Sequence, residues 1–311
     1  MHQTSGRWRL GLGLSLMTVF LWGILPIALT ITLQAVDIYS VTWFRFLVSF
    51  LLLGIYLTWS RQLPPIQQFK TTTWQLLAIA TLFLALNYIF FLQGLALTSA
   101  TTAQVIIQLA PFLMGLGGLI FFRERYTLPQ WLGVVTLITG FVLFFHEKLV
   151  NLQINTEQFE LGILSVVIAA LAWAIYALAQ KQLLQQLSSA QIMLIIYGGC
   201  SCLFVFFITT SVFQSLSPLH WFTLGFCALN TLIAYGCFSE SLQHWEASRV
   251  SALVATTPIV TFLSVLISSR LIPQHIAPEI LSLSGICGGV LVVTGSIVTA
   301  LGKRNHHFWT K

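Results

Sequence analysis

Gln104, Gln108 and Pro111 stand four and then three positions apart in an otherwise apolar stretch. On a helix this spacing puts all three on one face. A glutamine amide offers two donors and two acceptor lone pairs. In apolar surroundings it turns toward protein or water. A proline lacks an N–H and loosens the backbone beside it. Together they could form the polar wall of a binding cavity next to a hinge. The same amides could instead glue two helices together, at about 0.6 kcal/mol per bond. Ser251, Ala255 and Pro258 repeat the spacing. Ser251 thus becomes a cavity candidate, and Pro111 and Pro258 become hinge candidates.

Further rings and amides recur at helical spacing. Trp22 and Pro26 lie one turn apart. Asn87 and Phe91 share a face, with Tyr88 beside them. Trp173, Tyr176 and Gln180 stand at i, i+3 and i+7, and Asn230 is followed by Tyr235. Rings that hold an apolar body and amides that orient a polar group suit a small amphipathic ligand. The other common use of Trp and Tyr is an interfacial belt, which fits Trp8, Trp59, Trp131, Trp221 and Trp245 near segment ends.

Two charges bear on transport chemistry. Arg45 is the one basic residue well inside an apolar segment. It could bind a carboxylate, or snorkel to headgroups and tie helices together. Glu240 is the one acid placed to couple a proton near the membrane, unless it pairs with Arg249 at the interface. Enzyme motifs are missing: there is no His-Glu-x-x-His, no Gly-x-Ser-x-Gly and no phosphate-binding glycine loop. The five cysteines form no Cys-x-x-Cys and read as small buried residues. Neither a metal nor a cofactor is expected, and no catalysis.

These residues must be carried by elements that suit the composition. Of 311 residues 57% are hydrophobic and 7% charged, with mean hydropathy +0.89. An average soluble chain is roughly 25% charged. A soluble domain, a disordered chain and a basic nucleic-acid binder are all excluded. Ten apolar segments can be marked at 10–33, 40–60, 74–97, 100–122, 128–145, 161–180, 190–213, 220–243, 247–269 and 280–301. They are continuous rather than alternating, so they are helices and not barrel strands. With the N-terminus inside, eleven Lys and Arg residues fall on the cytoplasmic side. Lys148 and Arg270 fall on the other. The net charge of +6 then reflects cytoplasmic loops rather than an acidic partner.

The longest loop, 146–160, separates five segments (residues 1–145) from five more (161–311). At an offset of 147, Tyr88 falls on Tyr235, Phe91 on Phe238 and Pro111 on Pro258. At an offset of 151, Trp22 falls on Trp173. An odd number of helices per half turns the second copy upside down. The expected fold is therefore an all-α membrane protein of ten transmembrane helices. They form two inverted five-helix repeats, N-in and C-in, with a site near the midplane.

The stretch from Tyr88 to Pro111 resembles the third-to-fourth helix signature of the drug/metabolite transporter superfamily, EamA type. So do Arg123-Glu124-Arg125, the Gln130-Trp-Leu-Gly133 run with Gly140, and Arg45 in Trp43-Phe-Arg-Phe46. The second half is weaker: Leu271 stands where Glu124 would, and the segment 271–279 is longer than its counterpart. The resemblance implies a ten-helix secondary carrier that exports small metabolites such as amino acids across the cytoplasmic (inner) membrane by alternating access. Its partners would be a small-molecule substrate and the lipid bilayer, with no nucleic acid; a homodimer stays open. A non-transporting sensor or assembly partner is the alternative.

The eleven-to-two charge split makes both termini cytoplasmic. A fluorescent protein fused to the C-terminus should be bright, and alkaline phosphatase fused there should be inactive. The reverse pattern would break the ten-segment count.

Overall fold

Lipid offers no hydrogen-bond partner, so each buried backbone must satisfy itself. The computed structural model describes residues 7–65, 67, 69–113, 127–150, 156–245, 247–279 and 282–301. Every regular element among them is helical. We number the helices α1 (Trp8–Thr32), α2 (Ile38–Trp59), α3 (Thr71–Leu97), α4 (Ala100–Ile106), α5 (Leu128–Val150) and α6 (Thr156–Leu183). Then follow α7 (Ser189–Phe204), α8 (Pro218–His244), α9 (Ala247–Val254), α10 (Thr257–Leu271) and α11 (Leu283–Leu301). Among the described residues seven helices are long and apolar enough to cross a membrane, and shorter apolar helices span Ala100–Leu113, Leu128–Phe144 and Leu283–Thr299. Large apolar side chains such as Trp59 and Phe206 face outward, 88% and 86% exposed. A surface of this kind is stable only against lipid or another apolar body.

Starts are set by local chemistry. Asp37, Ser99 and Ser188 cap α2, α4 and α7 by accepting the N–H of Ser40, Thr102 and Gln191. At Ser188 the Gln191 side chain returns the bond, a full capping box. Pro218 occupies the first turn of α8, where its missing N–H costs nothing.

Three segments depart from the continuous helices expected. The seventh leaves α-helix after Phe204 and passes through two 3-10 turns, at Val205–Phe207 and Thr210–Gln214. The Thr209 N–H is satisfied there by Ser40 Oγ at 2.9 Å, and Phe207 stacks on Tyr39. The fourth and ninth segments are broken, at 107–108 and 255–256. Each break lies just before a proline, Pro111 or Pro258. A proline withholds the N–H that would bond the carbonyl four residues back. Ile107 O takes the Ala110 N–H instead, at 2.9 Å. Val254 O takes the Thr257 hydroxyl, and Leu253 O takes the Thr256 hydroxyl at 2.6 Å. The Arg123–Arg125 turn lies outside the described residues.

Helix partners follow a regular scheme: α3 packs on α6 and α1 on α8; α2 packs on α8 and α3 on α7; α2 pairs with α7, α4 with α10, and α5 with α11. The α5–α11 contact is a glycine seam. Gly133 meets Gly295, and Gly140 meets Gly288, each backbone to backbone. A Cβ built at Gly140 would lie 2.6 Å from the Val292 nitrogen, and one at Gly288 would lie 2.6 Å from the Phe144 nitrogen. Small residues that let backbones touch replace the hydrophobic drive that lipid removes. The longer 271–279 segment ties ends together. The Gln34 amide bonds the carbonyl and Nδ1 of His275, both at 2.7 Å. Glu279 accepts from the Thr101 N–H at 3.4 Å.

Backbone atoms cannot yield to a new side chain. Gly140→Val should therefore cost about 1–3 kcal/mol or more and lower the thermal midpoint in detergent. Gly289→Ala, on the partner helix α11 with nothing within 4 Å of the added carbon, should leave it unchanged. Equal midpoints would remove the seam from the stability argument.

Candidate functional site

Between the two helix breaks lies a cavity of ≈ 130 Å³. The fourth segment supplies Gln104, Ile107, Gln108, Ala110 and Pro111, and Val254 and Thr257 come from either side of the second break. Trp22, Leu25, Pro26 and Leu29 of α1, Arg45 of α2, Asn87, Tyr88, Phe91 and Leu92 of α3, Trp173 of α6 and Tyr235 of α8 complete it. The wall is thus drawn from both halves of the chain. Pro26 leaves the Trp22 carbonyl without its helical N–H partner, so α1 also has a loosened turn here. Sites much larger, about 300–1,000 Å³, hold drug-sized ligands; this one fits a small metabolite.

The polar groups of the wall fall into two sets. Asn87 Nδ2 donates to the Ala169 carbonyl of α6 at 2.9 Å, so its amide is partly spent on helix packing. Gln108 is 4% exposed, and its Oε1 has no hydrogen-bond partner. Arg45 is 3% exposed. Its Nε donates to Thr231 Oγ1 of α8 at 3.0 Å, and that hydroxyl donates on to the Cys227 carbonyl at 2.9 Å. The guanidinium lies 4.6 Å from the centroid of the Tyr88 ring, a cation–π contact. Arg45 does not snorkel to the surface: Thr231 and Tyr88 hold it at the cavity wall. Trp22 meets Tyr235 edge-on, with centroids 5.2 Å apart.

Other sequence candidates lie elsewhere. Tyr176 and Gln180 turn away from the cavity into the core. The Tyr176 hydroxyl approaches Met193 Sδ at 3.3 Å, and Gln180 lies 3.7 Å from the same sulfur. Asn230 joins α8 to α1 by donating to the Leu21 carbonyl at 2.7 Å. Pro258 is buried at the break beside the cavity rather than in its wall. The side chain of Ser251 lies outside the described residues. Glu240 is half exposed, 3.0 Å from His244 Nε2 one turn along its own helix, and not in the cavity wall. The side chain of Arg249, its expected partner, lies outside the described residues. Thr256 and Thr257 were not singled out from the sequence. The signal for them is two threonines directly before a proline in mid-segment, ready to replace lost N–H donors.

A family model for EamA-like transporters matches residues 9–146 and again 160–301. The chain belongs to the EamA-like transporter family. It is a multi-pass membrane protein. A protein of Escherichia coli (strain K12) named "Uncharacterized inner membrane transporter YhbE" is 34% identical over 305 residues, covering 98% of this chain and 94% of that one. A protein of Haemophilus influenzae named "Uncharacterized transporter" is 33% identical over 296 residues, covering 95% and 96%. A "Probable amino-acid metabolite efflux pump" of Escherichia coli (strain K12) is 24% identical over 221 residues, covering 66% and 69%. A solved crystal structure shares the fold, with TM-score 0.65 and 18% identity, covering 96% of this chain and 98% of that chain.

In this EamA-like transporter the buried cation depends on one hydroxyl. Thr231→Val keeps the shape and removes the acceptor for Arg45 Nε. Bonds to charged groups contribute about 1.5–3 kcal/mol, so the unfolding midpoint should fall clearly. Thr261→Val removes only a neutral bond to the Gly23 carbonyl and should cost less, about 0.6 kcal/mol. A smaller loss at Thr231 than at Thr261, by thermal unfolding in detergent, would refute the support role.

Proposed function

We propose that this protein is a secondary transporter of small metabolites, such as amino acids, in the inner membrane. Ten helical crossings form two inverted five-helix halves, residues 1–145 and 161–311, with both termini inside. The direction of net movement is outward. The observation that carries this reading is the cavity enclosed between two breaks that fall at matching places in the two halves, just before Pro111 and Pro258. Broken helices near the midplane, where two repeats meet, are the usual construction of a transport site.

Other features support it. Several helix pairings keep their form when the halves are exchanged: α3 on α6 becomes α8 on α1, and α2 on α8 becomes α7 on α3, while α2–α7 and α5–α11 map onto themselves. The family model matches twice, once per half. The seven long apolar helices and three shorter ones make up the ten crossings. In this reading the halves rock about the cavity, and Pro111 and Pro258 absorb the backbone change. The chain performs no catalysis and uses no cofactor. Its partners are the substrate and the bilayer.

Proteoliposomes loaded with a panel of small metabolites should show counterflow of at least one labelled member. None across a broad panel, from protein that is folded and correctly inserted, would end the transporter reading. Gln108→Leu should reduce counterflow by about tenfold or more, equivalent to ~1.4 kcal/mol. The thermal midpoint should hold, because Oε1 has no partner among the described residues to lose. Lost stability with normal transport per folded molecule would make Gln108 a helix tie instead.

A further inference from the structure

Among the described residues the cavity wall carries one full charge, and none of its lining side chains neutralises it. Arg45 supplies it and is 3% exposed. Only its Nε is bonded within the described residues, to Thr231. No acidic side chain lines the cavity among the described residues. Asp37 caps α2, Glu279 meets the Thr101 N–H one turn before Gln104, and Glu240 pairs with His244; none of the three lines the cavity. A buried charge without a counter-ion is expensive. The Thr231 bond and the Tyr88 ring offset part of that cost and hold the guanidinium in place. Its terminal nitrogens form a planar fork with no acceptor among the described residues, and that fork matches a carboxylate in two parallel bonds.

A second orphan lies in the same wall. Gln108 Oε1 is buried and accepts nothing from the described residues. A buried acceptor left unpaired costs about 1–3 kcal/mol, and a ligand with an N–H or O–H recovers it. The rest of the wall is mixed: Trp22, Phe91, Leu92 and Trp173 offer rings and apolar surface, while Asn87, Tyr88, Gln104, Tyr235 and Thr257 add polar groups.

Building on the transport reading above, we propose that the cavity recognises a small monocarboxylate. Arg45 pairs with its carboxylate, Gln108 accepts from a donor beside that group, and the aromatic wall holds a compact apolar body. The α-amino acids and the α-hydroxy acids both have this chemistry.

Binding can be read apart from transport, as ligand-dependent thermal stabilisation of the purified full chain in detergent. The probes are leucine, phenylalanine, α-hydroxyisocaproate and phenyllactate, against leucinamide and phenylalaninamide, which keep body and donor but lose the carboxylate. The acids should raise the midpoint and the amides should not. Comparing amino with hydroxy acids identifies which donor Gln108 takes. Arg45→Gln should weaken the acids by about tenfold or more and erase the distinction from the amides. Arg45→Lys keeps the charge but not the fork, and should retain part of the preference. The wild-type comparison needs neither variant to fold. Amides that stabilise as well as acids, or acids that fail to stabilise at tens of millimolar, would overturn the proposal. In either case counterflow of an uncharged compound would leave the transporter reading standing. Acids that bind while nothing undergoes counterflow would keep the Arg45 site and end the transport reading.

Discussion

The structure rests on one constraint: backbone polar groups inside a bilayer have no water to bond. Continuous helices meet it with their own ladder, which is why the described elements are helical. A break in such a helix is tolerated only where other donors stand in or where the break faces a polar space. Both conditions hold at 255–256, where the Thr257 hydroxyl takes the Val254 carbonyl that Pro258 frees, next to the cavity. At 107–108 a tighter turn serves, with Gln108 N–H reaching Val105 O at 3.2 Å and Ala110 N–H reaching Ile107 O. The cavity lies where the fourth and ninth segments open.

The same constraint divides the polar side chains by use. Asn87 and Asn230 each send an amide N–H to a carbonyl on a neighbouring helix, one joining α3 to α6 and the other α8 to α1. They act as ties, and Asn87 also shows a face to the cavity. Gln108 and Arg45 keep bonding capacity that the protein does not use. Other buried atoms also lack a partner among the described residues, such as Thr42 Oγ1 and Asn230 Oδ1; Gln108 and Arg45 stand apart because their surplus lies in the cavity wall.

Much of this was legible in the sequence because it is local. Polar residues four and three apart in an apolar run put Gln104, Gln108 and Pro111 on one face, and the structure brings all three to the cavity. Two prolines in mid-segment announced loosened backbone. The reading failed where rotation about a helix axis decides the matter. Trp173 reaches the cavity, but Tyr176 and Gln180, on nearly the same face, meet Met193 instead. Arg45 could not be placed from its own segment, because the residues that hold it, Thr231 and Tyr88, come from two other helices. The glycine seam left a trace, since Gly133 and Gly140 stand seven apart, as do Gly288 and Gly295. Nothing in either pair names the other as its partner.

That seam bears on which mutations the protein can accumulate. A cavity residue can drift through similar side chains, and a change there alters preference before it abolishes folding. Gly133, Gly140, Gly288 and Gly295 have no such neighbours in amino-acid space. Every missense change in a glycine codon adds at least a Cβ, and here even alanine meets backbone. These four positions touch no cavity residue's role, yet they should vary less across generations than the wall that selects the ligand.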